Sequence, residues 1–146
     1  MQIEIQIDEN CKEPKIIVIT DKMNDEINEV VKRLSEARPN MIAGFKNDIV
    51  EVLDTSGIYR IFAANGKVFA ETNHGEFALR IRLYEAEERL GGKVFVRISN
   101  SEIINLKKVK SFDLSFAGTI CVTLSNGMVT YVSRRYVARI KQLLGI

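Results

Sequence analysis

Apolar side chains recur at every second position near the start of the chain, where Ile3, Ile5 and Ile7 alternate with Gln2, Glu4 and Gln6. That period puts one row of side chains on one face and predicts a half-buried strand over residues 2–8. A second strand is expected at residues 16–19, paired with the first across the polar turn 10–15. The period then lengthens. Ile27, Val30, Val31 and Leu34 fall on one helical face, Asn24 stands at the N-cap, Asp25 and Glu26 occupy the first turn, and Pro39 follows the end. Residues 1–40 are therefore expected to form a strand-strand-helix element.

From Met41 onward short apolar runs separated by turn residues take over. Strands are expected at residues 48–53, 59–64 and 67–72, then along the alternating Phe77, Leu79 and Ile81, which pass into a short helix ending near Leu90. Further strands are expected at 94–98, 103–106, 109–116, 119–124 and 128–132. Asn65-Gly66 is the sharpest hairpin signal, because both residues tolerate positive φ. Asn105, set in an apolar run, is expected to satisfy backbone groups in a bend. A closing helix starts after Ser133 and turns Tyr136, Val137, Ile140, Leu143 and Leu144 towards the body. About ten short strands with few helices predict a mainly β (α+β) fold of small packed antiparallel sheets over 41–146, preceded by the hairpin-plus-helix element of 1–40.

Composition narrows the function. With 146 residues and 46% apolar content the chain can supply an ordinary core. It has no apolar run of membrane-span length, and MQIEIQIDENCKEPK lacks the apolar block of a signal peptide, so a soluble, cytoplasmic protein is expected. Cys11 and Cys121 have no CxxC spacing, and His74 is the single histidine, so neither a metal site nor a cofactor is expected. Paired carboxylates, a Ser-His arrangement and a phosphate-cradling glycine loop are all missing, which argues against an enzyme and against a small-molecule substrate.

Charge divides unevenly. Residues 97–146 hold eight basic side chains against two acidic, a net of +6, which leaves −4 on residues 1–96 of a chain whose total is +2. Such asymmetry suits a basic carboxy-terminal surface that faces a polyanion. The sharpest local feature lies there: Arg134 and Arg135 sit in the first turn of the closing helix, where the dipole and the free N–H groups favour anions. A phosphate supplied from outside resolves that conflict and turns it into a binding site. Nucleic acid is the expected ligand. Lys107, Lys108 and Lys110 add either a salt-dependent backbone contact or a solvated strand edge.

Four motifs then stand in order: F-x-R-x-x-x-S at Phe95, Arg97 and Ser101; I-N-L at Ile104 to Leu106; S-N-G at Ser125 to Gly127; and V-S-R-R-Y at Val132 to Tyr136. Together they resemble the LytTR family of bacterial DNA-binding domains over roughly residues 42–146. The resemblance implies a β-rich fold that reads duplex DNA through loops between strands, in transcription regulators that act on repeated promoter sites. It also implies a homodimer on DNA, and a stand-alone regulator controlled by a membrane-protein partner. Carried over, the contacting positions are Ser99 and Asn100 with Arg97 in support, then Ser133, Arg134 and Arg135, with Arg135 reading a base, then the loop 56–60 with Tyr59 and Arg60. Lys107, Lys108 and Arg139 complete the expected DNA-binding set. This chain has Ile98-Ser99-Asn100 where many members have histidine followed by arginine or asparagine, and Tyr59 where the residue is often basic or histidine. An RNA-binding module, which would display aromatic side chains on a sheet, or a protein-interaction module is the alternative.

Overall fold

A computed structural model describes residues 1–36, 41–92 and 94–146 of the chain. The chain divides into two units, Met1–Arg38 and Pro39–Ile146.

In the first unit, the helix α1 (Asp25–Glu36) starts where its sequence says it should: the Asn24 side chain accepts from the Ile27 N–H at 2.9 Å. Ile27 is buried and Val30 half-buried, whereas Val31 and Leu34 remain exposed. The expected stop at Pro39 lies outside the described residues. Residues 2–8 and 16–19 form no strand, contrary to their pattern. Ile3, Ile5, Ile7 and Ile19 are each 84–93% exposed, so no neighbour covers the apolar row that alternation creates. A lone two-stranded hairpin without such cover is marginal in water.

The second unit begins with β1 (Met41–Lys46) and β2 (Ile49–Asp54), joined by Asn47 and Asp48, both at positive φ as a tight hairpin turn requires. Gly44 on β1 allows close packing: a Cβ there would meet Leu53 Cδ1 at 2.6 Å. Next come β3 (Ile58–Ala64), β4 (Lys67–Thr72) and β5 (Gly75–Leu79), the helix α2 (Leu83–Leu90), β6 (Phe95–Ser99) and β7 (Glu102–Asn105). These seven strands form one antiparallel sheet in the order β2-β1-β5-β4-β3-β7-β6. A smaller sheet is made by β8 (Val109–Asp113), β9 (Ile120–Leu124) and β10 (Val129–Val132), and α3 (Arg134–Leu144) closes the chain.

Two cores result, one on each face of the large sheet. Leu83, Ala86 and Leu90 of α2 pack with Ile58, Ile61, Phe77 and Ile103 in the first. Val96, Ile98 and Ile104 meet Ile120, Val122, Leu124, Val132 and Ile140 in the second. Adjacent residues of one strand point to opposite faces, so Ile103 and Ile104 serve different cores. Each is fully buried, worth about 1.5–3 kcal/mol of transfer free energy. Leu143 and Leu144 depart from their expected place and stay 49% and 37% exposed, because α3 seats its packed face through Tyr136, Val137 and Ile140.

Polar groups that this sandwiching buries are paired. Asn105, 1% exposed, donates to Ile58 O at 2.9 Å and accepts from the Lys107 N–H at 3.0 Å, which is the backbone role its setting predicted. Between the sheets, Arg60 donates to Glu102 at 2.8 Å and to Glu71 at 3.2 Å, and Thr130 of β10 donates to the other Glu102 oxygen. Burial alone would lower the Arg60 pKa, but the hydrogen bond and charge of Glu102, joined by Glu71, hold it above its ordinary value.

Candidate nucleic-acid interface

The turn between β6 and β7 is not a simple reversal. Its register slips between Arg97 and Ser99, where Ile98 has no partner on β7, and beyond the slip the carbonyls of Ser99 and Asn100 are met by a side chain. Arg97 takes them up: Nε donates to Ser99 O at 2.7 Å and Nη2 to Asn100 O at 2.6 Å. Its third nitrogen, Nη1, donates to Glu87 Oε2 of α2 at 2.6 Å. Within the turn the Ser99 hydroxyl accepts from the Ser101 N–H at 3.2 Å. Asn100 is exposed at the tip.

The first turn of α3 lies beside it. The Ser133 N–H donates to Ile98 O at 2.9 Å, and the Tyr136 hydroxyl makes a long contact with Asn100 Oδ1 at 3.5 Å. Ser133 stands at the N-cap with extended backbone, yet its hydroxyl caps nothing, and the first turn holds no acidic residue. Its leading N–H groups are thus free to meet an external acceptor. Arg134 and Arg135 are exposed. Arg134 lies against the β8–β9 loop, where a Cβ on Gly118 would come within 3.0 Å of Arg134 Nε. Arg139 is exposed on the same helix and lines an open groove of about 350 Å³ with Tyr84, Glu87, Glu88 and Arg97.

The other expected contacts lie elsewhere. Lys107 and Lys108 follow β7 at the end remote from the Ser99–Ser101 turn, roughly 15 Å away at 3.3 Å per strand residue. The loop 56–60 belongs to that same remote end, since β3 runs antiparallel to β7 with Arg60 opposite Ile104. Lys107 is exposed, and Lys108 is half-buried with its ammonium 5.1 Å above the Tyr59 ring. Two residues of the set are corrected. Tyr59 is 7% exposed, with its ring in the second core and its hydroxyl donating to Asn73 at 2.7 Å. Arg60 spends its guanidinium on two carboxylates and keeps a side chain only 16% exposed. The register shift between Ile58 and Arg60 interrupts the alternation and turns both towards the inter-sheet core, where partners within the chain hold them. Glu87 escaped the sequence reading altogether, because an acidic residue on an amphipathic helix carries no signal of its partner.

The result is a β-rich module that sets a polar turn beside a cationic helix end. Its family is known. Residues 48–145 match the LytTr DNA-binding domain model, and the chain belongs to that family, as the motifs implied. It is similar over its whole length to an uncharacterised HTH-type transcriptional regulator of Staphylococcus aureus strain NCTC 8325, with 31% identity across 100% of this chain and 99% of that one. A counterpart in Staphylococcus aureus strain MRSA252 is 30% identical with the same coverage. A LytTr DNA-binding domain from Bacillus cereus has the same fold, with a TM-score of 0.70 and 22% identity over 73% of this chain and 97% of that one. Among the described residues no helix of this chain directly follows another: strands separate α1 from α2 and α2 from α3, so they do not form the helix pair of a helix-turn-helix.

Proposed function

We propose that the chain is a transcription regulator that binds double-stranded DNA sequence-specifically through two neighbouring loops. The reading rests on one observation above the rest: the backbone bond from Ser133 to Ile98 fastens the Ser99–Asn100 turn to the first turn of α3. Asn100 and Arg135 thereby share one surface and suit base edges, Asn matching adenine and Arg matching guanine, each worth about 1–3 kcal/mol of discrimination. Ser99, Ser133, Arg134 and the free N–H groups of α3 take the phosphates and set the register. Arg139 extends that surface one helical turn, and Lys107 and Lys108 reach the backbone further along. No catalysis is involved. A DNA target places the protein in the cytoplasm, and binding as a homodimer to repeated sites, with a membrane-protein partner as control, follows from the family resemblance.

Selection of bound sequences from a random duplex library tests the reading. A recurring motif should emerge, with affinity falling steeply as salt rises. Recovery of unrelated sequences, or a flat salt titration, would overturn it. One observation favours RNA: Phe116 of the β8–β9 loop and Tyr131 of β10, 46% and 52% exposed, meet edge to face at 6.1 Å beside the small sheet. Single-stranded RNA that outcompetes the selected duplex would establish that alternative.

A further inference from the structure

We propose that Glu87 on α2 is a positioning residue for DNA recognition, acting through Arg97 on the Ser99–Asn100 turn; the inference rests on the reading given above. Beyond the register slip, two carbonyls of the turn depend on one guanidinium. A guanidinium on a long, rotamer-rich stem does not hold a fork by itself. Arg97 is fixed by its third bond, to Glu87 at 2.6 Å, with the arginine side chain 15% exposed and the glutamate 37%. Among the described residues Glu87 is its one ion-pair partner. The carboxylate comes from a different layer of the molecule. Leu83, Ala86 and Leu90 anchor α2 in the first core, so Glu87 ties the exposed turn to the rigid interior. Bases are read only if Asn100 stands within about half an ångström of its productive place, and a loosened support is enough to lose that.

The sign of the effect separates positioning from simple charge. Glu87 is an anion near a surface that must meet a polyanion, so electrostatics alone predicts that Glu87→Gln tightens binding to every duplex. Positioning predicts the opposite for the cognate duplex and nothing comparable for a scrambled one. Affinities of the full chain for the selected duplex and its scrambled version would be measured by fluorescence anisotropy for wild type, Glu87→Gln, Glu87→Asp, Arg97→Lys and the Glu87→Gln/Arg97→Lys pair. Glu87→Gln should lose roughly tenfold in the cognate-to-scrambled ratio, Glu87→Asp should recover part of it, and the pair should lose no more than Arg97→Lys alone, as expected for side chains that act as one unit. In the free protein, amide resonances of residues 99–101 should shift in Glu87→Gln while those of the small sheet stay in place. An unchanged or increased ratio in Glu87→Gln would overturn the inference, as would unmoved turn resonances. If wild type itself fails to distinguish the two duplexes, the DNA reading falls, whereas a discriminating wild type with an equally discriminating Glu87→Gln sinks this inference alone.

Discussion

Two arginines 75 positions apart in the chain, Arg60 and Arg135, behave oppositely because of what surrounds them. Arg135 is exposed on the first turn of α3, so Arg135→Ala should remove a DNA contact and leave packing intact. The expected loss is about 1–3 kcal/mol of cognate affinity, roughly fivefold to 150-fold, with a melting temperature within a few degrees of wild type. Equal loss of affinity and stability would assign Arg135 a structural role. Arg60→Ala should do the reverse. It strands Glu71 and Glu102, each under a tenth exposed, without their cation, and breaking such a buried pair costs about 3–5 kcal/mol. Thermal unfolding should drop by more than about 10 °C, while the fraction that remains folded binds DNA as before. The contrast also shows what single residues reveal in sequence. The place of Arg135 in the first turn of the closing helix was legible from the Ser133 cap, whereas nothing local says that two carboxylates, 11 and 42 positions away, will claim Arg60.

At the scale of elements, the turns were easier to read than the strands they join. Asn65-Gly66 turns at φ 53° and 74° between β3 and β4, as that dipeptide demands, and β4 keeps the bounds its alternation gave. The amino-terminal alternation failed because a period of two states only that a strand would be half-buried if something covered it, and nothing within the first unit covers Ile3, Ile5 and Ile7. Polar turns carry a testable pH dependence. Asp54 accepts from the backbone N–H and then the hydroxyl of Ser56, Asp113 from the hydroxyl and then the N–H of Ser115, and both carboxyls are held below the ordinary aspartate range. A depressed folded-state value means that this stabilisation is present above the ordinary range, near pH 4, and is lost as pH falls through the lower folded-state value. Carboxyl carbon titrations should therefore give midpoints below the ordinary one for both residues. A midpoint at or above it would dissolve the turn assignment. Duplex binding at neutral pH should not depend on this equilibrium.

For the whole molecule, the separation of charge along the chain bears on what the first unit does for binding. Residues 97–146 carry +6 and residues 1–96 carry −4, and the exposed Ser99–Asn100 turn and α3 cations all lie within the former. Residues 48–145, the stretch that matches the family model, contain every side chain to which a DNA contact is assigned. Removing residues 1–40 should therefore leave affinity for a single half-site within about twofold of the full chain, a difference of under roughly 0.5 kcal/mol. The slope of log affinity against log salt should also stay the same, because that slope counts phosphates neutralised and the deletion removes none of the proposed contacts. Binding to a duplex with two repeats is a different measurement. Ile3, Ile5, Ile7 and Ile16 to Ile19 leave apolar surface uncovered in the single chain, and such surface is a place for association. If the first unit joins two copies, the truncated protein should lose the cooperative part of two-repeat binding and sediment as a monomer at concentrations where the full chain does not. A truncated protein that stays folded but loses the half-site would put part of the DNA surface in residues 1–40, and the two-loop reading would have to be extended to include it.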